Sequence, residues 1–168
     1  MKVITFRKIC VMFCVNHVLA GTFAYGLKRK LLRSVGYEIG ENTRIVGPLF
    51  CTGSLKIGKD CWIGRDFRLE GNGRVELGDR CDLAPGVMFL TGGHEIGDEH
   101  RRAGKGEHYH IRVGNGVWIG ARATLARNIT VGAGSVVGAC AYVGKDVPEN
   151  CLVGGVPARI IRELDYEA

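Results

Sequence analysis

The stretch from Val113 to Val143 carries an aliphatic residue at every sixth position, and this spacing limits what the chain can fold into. Glycine follows five of the six aliphatic residues, which are Val113, Ile119, Leu125, Val131, Val137 and Val143. A period of six matches neither the roughly 3.6 residues of a helical turn nor the alternation of a strand. The stretch is therefore an internal repeat, whose units bury apolar surface by stacking on one another.

The same spacing runs back to residue 39, so the repeat occupies most of the chain. Its earlier large positions are Ile39, Ile45, Cys51, Ile57, Ile63, Leu69, Leu77, Leu83 and Phe89. Two extra residues near Gly71, Asn72 and Gly73 predict a bulged corner. The fourth residue after a large position is usually small or apolar, as in Thr43, Cys61, Cys81, Val87, Ala123, Ser135, Ala141 and Val147. These two inward positions would fill a narrow three-sided prism of about five coils.

Composition restricts the partners and the compartment. The 168 residues include 26 glycines and carry a net charge of +6, which admits nucleic acid, an anionic membrane or a phosphorylated ligand. Since the sequence has no recognition helix and no aromatic stacking array, we expect no nucleic-acid partner and favour a phosphorylated small molecule. Seven cysteines without a C-x-x-C pair indicate reduced thiols in a cytoplasmic protein.

The segment ahead of the repeat is predicted to be helical from Lys2 to Val35, with Gly21 and Gly26 dividing it into two helices. We therefore expect an N-terminal helical segment at 1–36, a solenoid at 37–153 and a closing segment at 154–168. Lys28, Arg29, Lys30 and Arg33 form a basic run. This run could contact the inner face of a membrane, or it could be a solvated helix face.

The repeat resembles that of the hexapeptide acyltransferases. The segment from Val147 to Asn150, followed by Gly154 to Arg159, is similar to the closing signature of the galactoside, maltose and nodulation-factor O-acetyltransferases. The resemblance implies an all-β solenoid, a left-handed parallel β-helix assembled as a homotrimer with active sites between subunits. It also implies a short C-terminal helix beginning near Pro157 and carrying Ile160, Ile161 and Leu164.

The repeat is interrupted once, at 90–112, and this segment holds four of the five histidines. A solenoid cannot hold such a segment inside its prism, so the segment should form an extruded loop. Thr91 to His94 and Arg101 to Gly104 resemble the family's loop, which implies that His94 is the general base. His100 is the alternative in the same loop, and a solvated side chain is the ordinary role for such a residue. His108 and His110 fit loop packing or surface positions.

A carboxylate or a backbone carbonyl often orients a histidine base. Asp82 lies on the coil before the loop and could do so, with Glu70 and Glu95 as alternatives and surface charge as the ordinary role of all three. The sugar-acetylating relatives often place asparagine after an Ala-Pro pair to hold the acceptor, whereas this chain has Gly86 there. That departure leaves the acceptor more open than the reaction.

The resemblance also implies a site for acetyl-CoA along the late coils. Its matching residues are Trp118, Gly120, Ala121, Gly138, Ala139, Gly144, Lys145, Arg159 and Arg162. Lys145, Arg159 and Arg162 would meet the phosphates, since fixed cations, and arginine in particular, suit such groups. Each could alone be a solvated surface charge.

These features together predict an acetyl-CoA-dependent O-acetyltransferase that acts on a hydroxyl of a sugar or polysaccharide precursor and requires no metal. An amino-sugar or antibiotic acceptor is one alternative, and a non-catalytic β-helix assembly protein is another. Hydration of carbon dioxide on the same prism would need three histidines converging from neighbouring subunits. Here the histidines lie in the loop instead of in the coils.

Overall fold

The computed structural model describes residues 6–165, which form a parallel β-solenoid capped at one end by helices. Three sheets make the faces of the prism. Sheet 1 contains β1 (Glu38–Ile39), β4 (Ser54–Ile57), β7 (Arg74–Leu77), β12 (His110–Val113) and β15 (Ile129–Val131). Sheet 2 contains β2 (Arg44–Ile45), β5 (Trp62–Ile63), β8 (Asp82–Leu83), β13 (Trp118–Ile119), β16 (Val136–Val137), β18 (Cys151–Gly155) and β19 (Ala158–Glu163). Sheet 3 contains β3 (Leu49–Cys51), β6 (Phe67–Glu70), β9 (Met88–Leu90), β14 (Thr124–Ala126) and β17 (Tyr142–Val143).

The strand pairing follows the six-residue repeat taken three at a time. Val113 pairs with Val131, one coil of 18 residues further along the chain. The coil from Ile57 to Leu77 is two residues longer, and the extra residues lie in the predicted bulged corner, where Gly71 has φ +103°. Five coils run through all three sheets, and Val147 and β18 begin a sixth. The predicted parallel solenoid is confirmed.

The predicted inward positions form the core. All the predicted large positions are buried except Cys51, which is partly exposed, and all the predicted small positions are buried. Phe67 and Phe89 stack in neighbouring coils with ring centroids 5.6 Å apart. The prism interior is therefore close to the apolar column that the sequence predicts.

Polar side chains form a ladder along the corner between sheets 1 and 2. The hydroxyl of Thr43 donates to Gly58 O at 2.6 Å and accepts from the amide of Cys61 at 3.1 Å. Ser135 repeats this arrangement with Pro148 O at 2.6 Å and the amide of Cys151 at 3.1 Å. The thiols of Cys61 and Cys81 similarly contact the carbonyls of Gly78 at 3.2 Å and Gly114 at 3.1 Å. These cysteines therefore satisfy corner backbone groups that would otherwise be buried without partners.

The N-terminal segment forms α1 (Phe6–Phe13), a π-helical turn (Cys14–Val18) and α2 (Tyr25–Arg33). Residues 1–5, with which the predicted helix begins, lie outside the described part of the chain. Gly21 lies in the break with φ +127°, as predicted. The predicted role of Gly26 is wrong, because Gly26 lies inside α2. In the described residues, no helix is long and apolar enough to cross a membrane.

Lys28 anchors α2 to the first coil. Its side chain is buried, and Nζ donates to the carbonyls of Gly21, Ile45 and Val46 at 2.6, 2.7 and 3.0 Å. Burial lowers the pKa of Lys28, while three carbonyl acceptors stabilise the charged ammonium. The helical cap is therefore tied to the prism by one fully enclosed cation.

The predicted short C-terminal helix is wrong. Ala158–Glu163 is the strand β19, which pairs antiparallel with β18 so that Arg162 lies opposite Leu152. Leu164 extends the contact by donating its amide to Asn150 O at 2.7 Å. The physical reason is that the last coil ends in an open sheet edge, whose backbone groups need partners. An added strand supplies those partners, and a helix would not.

Candidate active site

The interruption of the repeat is an antiparallel hairpin that projects from the corner after β9. It consists of β10 (Gly92–Ile96) and β11 (Ala103–His108). The chain leaves the prism at Thr91 and returns at Tyr109, whose amide donates to Thr91 O at 2.8 Å. The predicted bounds of 90–112 are too wide, because Leu90 belongs to β9 and His110–Val113 is β12, paired with β7. The apolar register of Ile111 and Val113 draws that segment back into the core.

His94 lies on β10 with its side chain exposed to solvent. Its Nδ1 is 2.9 Å from Gly104 O on the opposite strand. A carbonyl oxygen can only accept, so in this contact Nδ1 carries the proton and the neutral ring leaves Nε2 unprotonated. The hairpin thus presents an imidazole nitrogen in the tautomer that a general base requires.

Tyr109 supports the backbone just before His94. Its hydroxyl and ring edge lie so close to Gly93 that a Cβ there would approach within 2.2 Å of Oη. The hydroxyl donates to Glu107 Oε2 at 2.8 Å, and Glu107 raises the pKa of Tyr109 through this hydrogen bond. Gly93 is therefore required by the packing of this ring, and the ring limits how β10 can move.

The other histidines lie elsewhere on or near the hairpin. His100 is exposed in the hairpin turn, where its amide donates to Asp98 Oδ1 at 3.0 Å. His108 is exposed at the end of β11. His110 lies on β12 of the prism, with Nε2 3.4 Å from Glu76 Oε2.

The proposed carboxylate partners are placed differently. Asp82 lies on β8 in sheet 2, in register with Trp62 and Trp118, whereas the hairpin continues from β9 in sheet 3. Glu70 is 3.2 Å from Arg68, and Glu95 is exposed beside His94. Within the described chain, the contact at His94 Nδ1 is with the Gly104 carbonyl. The backbone carbonyl, which the sequence left open as an orienting group, occupies that position.

The first group of expected donor residues stacks at the corner after sheet 2. Gly120 has no room for a side chain, since a Cβ would lie 2.5 Å from Ala139 N. Ala121 O accepts from the amide of Cys140 at 2.9 Å, which joins the corner at 120–121 to the corner at 138–139. Trp118 is 56% exposed beside this column. The column offers backbone groups and an exposed aromatic side chain along the prism axis.

The second group lies at the corner after sheet 3, the same corner from which the hairpin projects two coils earlier. Gly144 and Lys145 line a cavity of about 690 Å³ at the end of the prism, together with Arg159 and Ala158 from the closing strand pair. Arg162, further along β19, does not line it. The cavity therefore gathers three of the four expected residues of the phosphate-binding end.

Sequence reasoning missed two residues of this cavity, Arg127 and Tyr142. Arg127 precedes Lys145 by 18 residues, one full coil, because Thr124 pairs with Tyr142. That spacing was the available signal for a second cation on this corner. The Tyr142 ring borders Gly144, where a Cβ would lie 3.1 Å from Tyr142 Cε1. Three cations and an aromatic ring fit a phosphorylated nucleoside.

Among residues 6–165, no group of three or more His, Cys, Asp or Glu side chains is arranged to hold a metal ion.

Comparisons with known proteins agree with the fold and the site. Residues 110–145 match the family described as bacterial transferase hexapeptide (six repeats). The chain is 31% identical over 140 residues to galactoside O-acetyltransferase of Escherichia coli K12, a match that covers 82% of this chain and 69% of that protein. A crystal structure of a hexapeptide-repeat acetyltransferase from Vibrio cholerae, complexed with acetyl coenzyme A, superimposes with a TM-score of 0.84 at 26% identity, covering 95% of this chain and 86% of that one. A galactoside acetyltransferase in complex with coenzyme A gives a TM-score of 0.82 at 28% identity, covering 95% and 80%. The chain therefore belongs to the hexapeptide-repeat acetyltransferase family.

Proposed function

We propose that this acetyltransferase moves the acetyl group of acetyl-CoA to a hydroxyl of a sugar or sugar-containing precursor, with His94 as general base. The observation that carries the proposal is the hydrogen bond from His94 Nδ1 to Gly104 O, at 2.9 Å. It fixes the tautomer in which Nε2 can take a proton from a hydroxyl. The sugar acceptor is supported by the relationship to galactoside O-acetyltransferase.

In the reaction, the acceptor hydroxyl attacks the thioester carbonyl carbon while Nε2 of His94 removes its proton. The tetrahedral oxyanion is stabilised by nearby backbone amides. The new C–O ester bond remains when the C–S bond breaks, and the imidazolium returns its proton to the departing thiolate. The products are the acetylated acceptor and free coenzyme A.

The donor is acetyl-CoA, and the cationic cavity is its phosphate-binding end. Lys145 and Arg159 line that cavity with Arg127, so three fixed cations face one space. Phosphate oxygens form charge-assisted hydrogen bonds with such groups, and arginine can bind two oxygens at once. Arg162 lies outside the cavity wall and would assist only from its rim.

The active enzyme is a homotrimer with its sites between subunits. In one chain, Gly120 and Ala139 lie at the corner after sheet 2, whereas Lys145 and the hairpin lie at the corner after sheet 3, with strands of sheet 3 between them. A neighbouring copy would supply the missing corner. The same arrangement would let Asp82 of one subunit approach the hairpin of another.

The test is transfer of a labelled acetyl group from acetyl-CoA to a panel of saccharides, followed by mass spectrometry of the product. We expect His94→Gln to lower kcat by about 10²- to 10⁴-fold, because that is the usual contribution of a positioned base. The same variant should still give a thermal shift with coenzyme A. His100→Gln provides the matched comparison in the same hairpin and should keep its activity.

The proposed function is wrong if His94→Gln retains full transfer, and the reverse pattern of the two variants would assign the base to His100. Transfer only to amine-bearing sugars would refute the hydroxyl acceptor. Lys145→Gln and Arg159→Gln should raise KM for acetyl-CoA with little change in kcat, since both contacts are remote from the reacting carbon.

A further inference from the structure

An exposed apolar ridge runs along α1. Six of the twelve large hydrophobic side chains that are exposed in the described part of the chain lie between residues 6 and 27. Phe6, Ile9 and Phe13 are 81%, 56% and 59% exposed and recur at helical spacing, so they share one face of α1. Val11 and Val15 are buried on the other side against the prism. The helix therefore has an outer apolar face besides the one that it packs against the core.

The ridge borders a groove of about 360 Å³ between α1 and the prism. Ile9, Met12 and Phe13 line the groove from the helical segment, and Cys51 lines it from β3. Lys8 stands at its edge, with Nζ 4.8 Å from the centre of the Tyr37 ring. The ridge and groove together form a concave and convex apolar surface of the kind that marks an interaction site.

The charge of this region differs from that of the rest of the chain. Residues 1–37 contain seven Lys and Arg and no Asp or Glu, the first acidic residue being Glu38. Of the 23 Lys and Arg and 17 Asp and Glu in the whole chain, 16 and 17 remain for residues 38–168, a net charge of −1. The net charge of +6 therefore comes entirely from the N-terminal segment. Arg7 and Lys30 are exposed in it.

These two properties restrict the partner. A two-fold contact with a second copy through this face would bring its like charges together, which is unfavourable. A nucleic acid would bind the cations and leave the phenylalanine ridge in water. The interface of an anionic bilayer offers negative headgroups next to acyl chains, and it suits a short amphipathic helix with a basic border.

We propose that the N-terminal cap, α1 with the following turn and α2, is a docking surface for an anionic lipid bilayer. Phe6, Ile9 and Phe13 insert at the level of the headgroups, and Arg7 and Lys30 contact lipid phosphates. The prism then stands on the membrane with its hairpin free. This surface is separate from the acetyl-transfer site, so its test does not depend on the reaction.

The test is co-sedimentation of the purified full chain with vesicles of phosphatidylglycerol and phosphatidylcholine, compared with vesicles of phosphatidylcholine alone. We expect binding to the anionic vesicles only, decreasing as salt is added. Arg7→Gln and Lys30→Gln should each weaken partitioning about fivefold. Phe6→Ser with Phe13→Ser should weaken it at least about tenfold, because buried aromatic area is lost.

The matched controls are Lys59→Gln and Ile161→Ser, which change an exposed cation and an exposed isoleucine outside the N-terminal cap. Both should bind vesicles like the unchanged chain, and thermal melts should confirm that all variants fold. Equal binding to neutral vesicles, or equal losses in the controls, would overturn the proposal. So would a drop in molecular mass by light scattering in the Phe6→Ser and Phe13→Ser variant, since another copy of the chain would then cover the ridge.

Discussion

Replacing Gly93 with alanine tests whether the hairpin holds His94 rigidly. A Cβ at residue 93 would lie 2.2 Å from Tyr109 Oη and 2.8 Å from Tyr109 Cζ, where ordinary contact begins at 3.4 Å. The ring and the backbone must therefore separate by about 1.2 Å. Tyr109 cannot shift as a whole, because its amide donates to Thr91 O and its carbonyl accepts from the amide of Arg74, at 2.8 and 3.0 Å.

Two responses remain, and each has a measurable size. If the ring turns away, the hydrogen bond between Tyr109 and Glu107 is lost, which costs about 1 kcal/mol. If the backbone at Gly93 moves instead, His94 moves with it, and a displacement of about 1 Å lowers a rate by about 10²-fold. We expect kcat to fall about 10- to 100-fold and the free energy of unfolding to fall by about 1 kcal/mol.

The assay is acetyl transfer at saturating acetyl-CoA, with urea unfolding measured in parallel. Gly106→Ala is the matched control, because Gly106 lies opposite His94 in the hairpin register and a Cβ there meets nothing within 4 Å. Adding Tyr109→Ser to Gly93→Ala should restore the activity to that of Tyr109→Ser alone. Full activity in Gly93→Ala, or an equal loss in Gly106→Ala, would refute the idea that the ring restrains the base.

Two further predictions concern the helical cap and the first coil. Lys28→Met should lower the free energy of unfolding by about 3 kcal/mol, because three carbonyls lose a charged donor in a buried site, whereas Lys59→Met, at an exposed position, should have little effect in the same urea titration. Burial raises the pKa of the Cys51 thiol from 9.0 to about 11, so between these values the folded state keeps a proton that the unfolded state loses. Stability should therefore fall as pH rises from about 9 to about 11, by up to roughly 2 to 3 kcal/mol from this group. The slope of unfolding free energy against pH should be smaller in Cys51→Ala, and an unchanged slope would contradict this assignment.

The prism could be predicted because its interior is set by local spacing. Each coil repeats the same two inward positions, so the large and small residues of the sequence match the buried residues of the structure almost throughout. Cys61 and Cys81 were correctly placed at small inward positions. Their contacts with the carbonyls of the next coil could not be predicted, because a thiol that replaces a hydroxyl in such a ladder has no distinct sequence signal.

The ends of the solenoid were harder to predict, because tertiary contacts decide them. Ile160, Ile161 and Leu164 suit a helix by spacing, but the open edge of β18 requires a strand partner, and β19 fills that need. Gly26 suggested a break, yet the anchoring of the neighbouring Lys28 keeps α2 continuous. Propensity is weak evidence where one buried contact can override it.

The candidate site was predictable in its parts and not in its arrangement. His94 was identified from its neighbours in the sequence, but its contact with Gly104 depends on the pairing of β10 with β11. The separation of Gly120 and Lys145 onto different corners follows from the coil geometry, which the register alone does not orient. Arg127 was missed although it lies one coil before Lys145.

The hydrogen bond between the Tyr109 amide and Thr91 O makes the hairpin an exchangeable unit. The coil that carries it is 36 residues long from Leu77 to Val113, and the extra length begins and ends at two bonded neighbours. The stack beneath is therefore closed whatever the insertion contains, because the free energy of closing a loop changes only slowly with its length. Hairpins of other lengths could be grafted between Thr91 and Tyr109, and acceptor preference could diverge among relatives without refolding the coils.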